Sequence, residues 1–292
     1  MIVVTAPTGH IGGHLVQGLL EAGAPVRVVA RDPARLAPGV AERVEVVRGS
    51  HRDPAVVAEA FAGATAVFWL VQADPRSTSL DEAYSGFTRP VLDALAAVPR
   101  VVGISALGRG TPMADRAGHV TGTLAMDDLI AGTGVPYRAL TMPSFMDNVL
   151  WQLTPITQQG VLYGPAAPDL SAPTVATRDI AAVAARLLRD DTWTGFEEVP
   201  VLGPEDLTQN EMAAIIADVL GRPVRYQQVP GPAFKENSLR AGLSDAIAQG
   251  LLDMAVAKNE GLDNGVTRTP ERSTPTTFRR WCLDVLKPAA DA

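Results

Sequence analysis

Apolar runs of four to six residues recur through the first half of the chain: Ile2–Ala6, Val26–Ala30, Val44–Val47, Ala66–Val71, Val101–Ser105 and Tyr137–Met142. They are continuous rather than alternating, the pattern of parallel strands covered on both faces. Helix-period stretches separate them. Leu15, Leu19 and Leu20 follow the first run. Leu80, Tyr84, Phe87, Val91, Leu95 and Val98 recur at spacings of three and four, which predicts a well-defined helix over that stretch. Strands alternating with helices imply right-handed βαβ crossovers and an α/β fold built on a doubly wound parallel sheet.

After Met142 the pattern changes. Pro143–Gly164 mixes aromatic and polar residues, and amphipathic helices are predicted at Asp179–Leu188 and Gln209–Leu220. Phe196–Leu202 and Val224–Val229 read as additional strands, and helical patterns resume at Phe234–Met254 and Pro275–Leu286. No long polar linker separates the two halves, and internal repeats are absent. The expected organisation is a nucleotide domain over 1–142 and a smaller α/β lobe over 143–292, packed on the carboxyl edge of the sheet.

Composition narrows the class. A net charge of −7 argues against direct nucleic-acid binding, which calls for a basic face. The single cysteine, Cys282, excludes an intramolecular disulfide and fits a reducing cytosol. The first apolar run begins at residue 2, which leaves no room for a secretory leader, and Ala66–Val71 is too short to span a bilayer. A cytoplasmic protein without a membrane partner is expected.

The first run leads straight into Thr5-Ala-Pro-Thr-Gly-His-Ile-Gly-Gly13 and then into a helix. A glycine turn between strand and helix is the opening of a dinucleotide-binding unit, where backbone N–H groups meet a pyrophosphate. The second run ends in Arg31-Asp32-Pro33. Asp32 stands where an acidic residue would take a ribose 2′-hydroxyl, but Asp before Pro is also a helix cap, repeated at Asp53-Pro54. Arg31, helped by Arg35, suits a 2′-phosphate, so NADP(H) is expected ahead of NAD(H).

Thr5-Ala-Pro-Thr-Gly-His-Ile-Gly12 resembles the T-G-A-T-G-x-x-G turn of NmrA-like atypical short-chain dehydrogenases. Arg31-Asp-Pro, Ser105-Ala-Leu-Gly108, Pro143-Ser-Phe-Met-Asp-Asn148, Arg178-Asp-Ile180 and Leu220-Gly-Arg-Pro223 are also family-like. The resemblance covers about residues 1–230. It implies a Rossmann domain with a small C-terminal substrate lobe and NADP(H) between them. Ala6, Thr8, Gly9, His10, Ile11 and Gly12 would form the phosphate turn, with Arg31 and Arg35 at the 2′-phosphate and Ser50 near the adenine. Val71, Ser105, Pro143 and Phe145 complete the implied cofactor-facing set. The family holds reductases of isoflavone and quinone type and also cofactor-sensing regulators, so membership leaves enzyme and sensor both open.

Three departures stand out. Ala6 replaces the first glycine, and Ser50 stands where an aspartate is often found. The Tyr-x-x-x-Lys pair is missing: His119 falls at the tyrosine position and Thr123 at the lysine position, and no lysine precedes Lys235. A histidine titrates near neutrality and can donate a proton, or it can simply pack at the start of its helix. Thr123 can bond a ribose hydroxyl but carries no charge. Ser105 faces either the site or a strand-end turn. Tyr84 and Tyr137 read as structural.

Phe145, Met146, Trp151, Leu153 and Tyr163 gather near Asp147, Asn148 and Gln152, which suits a flat apolar ligand. Phe145, Asn148, Trp151 and Tyr163 are the candidate pocket residues; the alternative is that Phe145 and Trp151 are a buried helix face. The four histidines show no metal-ligand spacing, so no metal is expected. The favoured reading is an NADP(H)-dependent oxidoreductase of a small conjugated or aromatic carbonyl or quinone, as in a tailoring step of secondary metabolism. The alternatives are a redox sensor acting through a protein partner and a non-redox tailoring enzyme. A homodimer is left open.

Overall fold

The computed structural model describes all 292 residues. In the first half, strands β1 (Ile2–Thr5), β2 (Val26–Ala30), β3 (Glu45–Arg48), β4 (Ala66–Trp69), β5 (Val101–Ala106) and β6 (Tyr137–Met142) follow the predicted apolar runs. The helices among them are α1 (His10–Glu21), α2 (Pro54–Phe61), the short pieces α3 (Leu80–Ala83), α4 (Ser85–Thr88) and α5 (Leu92–Ala96), and α6 (His119–Ala131). The second half begins with β7 (Ser144–Phe145), a 3-10 helix over Met146–Gln152, and α7 (Leu153–Gln159). It continues through β8 (Val161–Gly164), β9 (Ala172–Val175), α8 (Thr177–Arg189), β10 (Phe196–Pro200), β11 (Asp206–Leu207) and α9 (Gln209–Leu220). β12 (Arg225–Gln228), α10 (Gly231–Arg240), α11 (Asp245–Asn259), α12 (Phe278–Trp281) and α13 (Lys287–Asp291) complete it.

Seven strands form one parallel sheet in the order β10-β6-β5-β4-β1-β2-β3. One face packs Leu15 and Leu19 of α1 against Ile180, Ala184 and Leu188 of α8. The other packs Val57 of α2, Leu95 of α5 and Met126 and Ile130 of α6 over Val3, Val67 and Val101. Covering both faces removes the alternation that a half-exposed strand shows. A separate core holds Met146, Ile156, Met212, Ile216, Phe278 and Trp281. β12 pairs in parallel with β8 there.

The chain recrosses the division drawn at residue 142. α8 lies on α1, and β10 pairs in parallel with β6 as the seventh strand, where Phe196 stacks on Tyr137 with ring centroids 5.7 Å apart. Residues 177–200 thus pack with the nucleotide half. β10 ends at Pro200, two residues before the end of the predicted run.

Three helical expectations are corrected. The stretch Leu80–Val98 is a broken helix. It kinks at Tyr84 (φ −119°, ψ −78°) and tightens to a 3-10 turn over Arg89–Val91, where Pro90 has no N–H to give the ladder. Phe234–Met254 is two helices parted at Gly242, whose φ of +92° ends α10 in the left-handed region. The predicted helix Pro275–Leu286 begins at Phe278, capped by Thr277, and passes into a π turn over Cys282–Leu286.

Candidate functional site

The turn after β1 is built by close backbone approach. Ala6 has φ +51° and is the sole non-glycine residue at positive φ. A left-handed alanine costs about 1–2 kcal/mol, so the turn keeps a glycine's conformation without the glycine. At Gly12 a Cβ would sit 2.1 Å from the Ala6 carbonyl oxygen, so no larger residue fits. Gly9 caps α1 with extended backbone and without a side-chain bond. The N–H groups of His10, Ile11 and Gly12 therefore have no partner within the helix and point out of its end. Thr8 is exposed beside them. The cradle fits a pyrophosphate: it offers backbone donors, the positive end of a helix, and room that a side chain at 12 would fill.

Neighbouring strand ends extend the cradle. Thr5 accepts from the Leu70 N–H at 3.0 Å and donates to the Phe68 carbonyl at 2.9 Å, tying β1 to β4 just before Val71. Asp32 caps the turn at Pro33 by accepting from the Ala34 N–H at 3.2 Å, while Arg31 and Arg35 are exposed. Ser50 accepts from the Arg52 N–H. Next to it His51 lies between Trp69 and Phe87, with centroids 5.2 and 4.9 Å away, and its Nε2 bonds the Leu70 carbonyl at 3.0 Å. Burial pushes the His51 pKa down to about 4, so the ring is neutral and Nε2 carries the proton. That packing role of His51 went unread in the sequence, because Trp69 and Phe87 come from two other elements.

His10 reaches the second half. Its Nδ1 lies 3.7 Å from Oδ1 of the buried Asp147, whose carboxylate accepts from the Thr177 N–H and hydroxyl at 3.1 and 2.8 Å. The glycine turn and the start of α8 are thereby joined through one carboxylate.

His119 is buried and bonded on both sides. The Ile247 carbonyl can only accept, so Nε2 donates to it at 3.1 Å, and Nδ1 then accepts from the Tyr84 hydroxyl at 2.9 Å. Burial also lowers its pKa. Both nitrogens are thus engaged within the protein. The Thr123 hydroxyl turns back onto the His119 carbonyl at 2.8 Å. Ser105 is buried, and its hydroxyl is hydrogen bonded to Asp127 Oδ2. Asp127 Oδ1 accepts from the Tyr137 hydroxyl at 2.5 Å. The structure thus brings Ser105 to Asp127 and Tyr137 rather than to His119.

The candidate pocket residues differ in burial. Pro143 is buried at the end of β6, and Phe145 and Asn148 are half-buried, with Phe145 against the core under α1. Trp151 is 82% exposed, so it is neither a buried helix face nor a closed wall. Tyr163 is held by Gln152, whose Oε1 accepts from the Tyr163 N–H at 2.8 Å. No helix is long and apolar enough to cross a membrane.

Comparison with known proteins agrees with this geometry. Residues 7–191 match the NAD(P)H-binding family, and residues 128–280 match the NmrA-like family. The chain is 33% identical to the (4-alkanoyl-5-oxo-2,5-dihydrofuran-3-yl)methyl phosphate reductase of Streptomyces griseus, covering 97% of each. It is 27% identical to the NAD(P)H azoreductase of Xenophilus azovorans, covering 87% of this chain and 86% of that one. The NADPH complex of an Escherichia coli NADPH-dependent quinone oxidoreductase shares the fold, with a TM-score of 0.79 at 24% identity over 98% of this chain and 99% of that one. With a Rossmann sheet, a phosphate cradle and matches to both family profiles, the chain belongs to the NmrA-like family of NAD(P)H-binding proteins.

Proposed function

We propose that the protein is an NADPH-dependent reductase of a small, flat, conjugated carbonyl or quinone-type compound. The observation that carries this reading is the Ala6–Gly12 turn, which holds its left-handed bend against an alanine Cβ and leaves the first N–H groups of α1 open. NADPH, when bound, supplies a hydride. Everything else falls to this chain: the turn binds pyrophosphate, and Arg31 with Arg35 accepts the 2′-phosphate while Asp32 is occupied as a cap. The region of Pro143, Phe145 and Asn148 flanks the substrate.

The choice of acceptor follows from what is missing. No lysine stands at position 123, and both His119 nitrogens are engaged, so the Tyr-x-x-x-Lys pair that serves a simple ketone's alkoxide is absent. A conjugated acceptor spreads the developing charge over its own framework and asks less of the protein. The substrate in the name of the Streptomyces relative, an alkanoyl-bearing 5-oxo-2,5-dihydrofuran, is of that kind.

Titration with NADPH, NADP⁺ and NADH, followed by turnover on quinones, acylated butenolides and plain ketones, tests the reading. NADPH is expected to bind more tightly than NADH and to be oxidised by the conjugated acceptors alone. The engagement of both His119 nitrogens also favours a second reading, a cofactor-binding sensor that works through a protein partner. Tight NADPH binding without oxidation by any acceptor supports the sensor, and failure to bind either nucleotide overturns both.

A further inference from the structure

Asp127 is wholly buried on α6, one turn beyond Thr123 and two beyond His119 on the same face. Two hydroxyls hold its oxygens, Tyr137 on Oδ1 and Ser105 on Oδ2. Gly103 admits the Tyr137 ring: a Cβ there would lie 2.3 Å from the phenolic oxygen. No cation touches the carboxyl. Arg109, in the loop after β5, spends its Nε on Glu198 of β10, its Nη1 on Asp128 and its Nη2 on the Leu124 carbonyl.

Of the other charged groups on elements packed against α6, Asp81 and Glu82 lie on α3 and Asp93 on α5, and the charges that act on Asp127 are Arg109 and Glu198. Tyr84 and His119 face each other at the start of α6, and Asp115, Arg116 and Asp253 line the groove beside Gly118. A carboxyl buried among hydroxyls and apolar side chains, without a cation in contact, is pushed toward its acid form. Burial raises the Asp127 pKa to about 7, with Glu198 adding to the rise and the two hydroxyl bonds and Arg109 opposing it. The Tyr137 phenol is raised well above its ordinary range, so it remains a donor to Oδ1.

That leaves Oδ2 as the oxygen that carries the exchangeable proton, and it faces Ser105. A serine hydroxyl donates to a carboxylate but accepts from a carboxylic acid. When Asp127 is protonated, the Ser105 O–H no longer donates to it, and Ser105 lies near the carboxyl end of β5, the sheet edge from which the phosphate turn follows β1. We propose that Asp127 is the proton reservoir of the reaction site, handing its proton outward through Ser105.

The inference rests on the reductase reading. Bound NADPH would supply a hydride to the acceptor's conjugated carbon, and the π electron pair would then lie on the carbonyl oxygen. That oxygen takes the Ser105 proton as Ser105 takes the Asp127 proton. The Asp127 carboxylate that results is held by Tyr137 until a proton returns from solvent. Ser105 is the group that meets the substrate, and Asp127 and Tyr137 act through it.

The test uses the full chain and the variants Asp127→Asn, Ser105→Ala and Tyr137→Phe, each checked for a native fold by circular dichroism and assayed at saturating NADPH. Infrared difference spectra between acid and alkaline pH are expected to show a protonated-carboxyl band that titrates near neutrality and is absent from Asp127→Asn. Turnover of a conjugated acceptor is expected to fall as pH rises through neutrality. In Asp127→Asn and Ser105→Ala that limb disappears and kcat drops about 100-fold. Tyr137→Phe removes a bond that favours the carboxylate, so the limb moves to higher pH; a merely structural role would lower stability and leave the limb in place. Wild-type turnover with an unaltered Asp127→Asn profile, or an infrared band common to both, overturns the reservoir alone. A wild type that oxidises no NADPH overturns the reductase reading and the reservoir with it.

Discussion

Ala6 holds a backbone angle that its own Cβ opposes, so replacement by glycine relieves strain in the folded state while loosening the unfolded chain. Relief of about 1–2 kcal/mol, less about 0.4–1 kcal/mol for the freer unfolded state, leaves Ala6→Gly more stable by about 0.5–1 kcal/mol. Urea unfolding measures it, and a lower midpoint would show that the turn is unstrained. His119→Phe leaves the Tyr84 hydroxyl without its histidine acceptor and removes the bond to the Ile247 carbonyl, at a cost of about 1–3 kcal/mol. The folded fraction should turn over at the wild-type rate. A kcat loss of about 100-fold with stability intact would return the histidine to the chemistry.

At the scale of elements, α11 is docked by close contact rather than by a large apolar face. Gly118 has φ +55°, and a Cβ there would lie 2.0 Å from the Gly250 carbonyl. Ser244 caps α11 and also bonds back to Ser77, and its N–H reaches the Pro75 carbonyl. Gly118→Ala is expected to push α11 off α6 and cost about 3 kcal/mol or more, visible as a lower Tm and as new proteolysis between α10 and α11. The strands were readable in the sequence because burial on both faces leaves continuous apolar runs. The breaks in Leu80–Val98 were not, because apolar spacing registers which face is buried and not whether Pro90 can complete the ladder. The phosphate turn and both aspartate caps were readable because their chemistry is local. Asp127 was missed: two adjacent aspartates on a helix look like a solvated face, and its partners come from 22 residues before and 10 after. The role of His119 depends on Ile247, 128 residues away, which no local pattern announces.

For the molecule as a whole, two buried groups pull the pH dependence of stability in opposite directions. His51, depressed to about 4 from 6.5, contributes stability that is present above its unfolded pKa and is lost as pH falls from 6.5 toward 4. Asp127, raised to about 7 from 3.8, contributes stability that is full below its unfolded pKa and is lost as pH rises from 3.8 through 7. Between about pH 4.5 and 6 the two slopes oppose each other. Relative to wild type, Asp127→Asn is therefore expected to gain stability with rising pH there, and His51→Asn to lose it, each by at most about 1.4 kcal/mol per pH unit. Chemical denaturation across that window measures both slopes, and parallel curves for all three proteins would refute the assignment. The sheet is also unfinished for much of its synthesis. Until Phe196–Pro200 emerge, β6 is an open edge, and Leu15 and Leu19 wait for α8. A ribosome must therefore deliver about two-thirds of the chain before the nucleotide half can close, which leaves its edge and one apolar face open to mispairing until then.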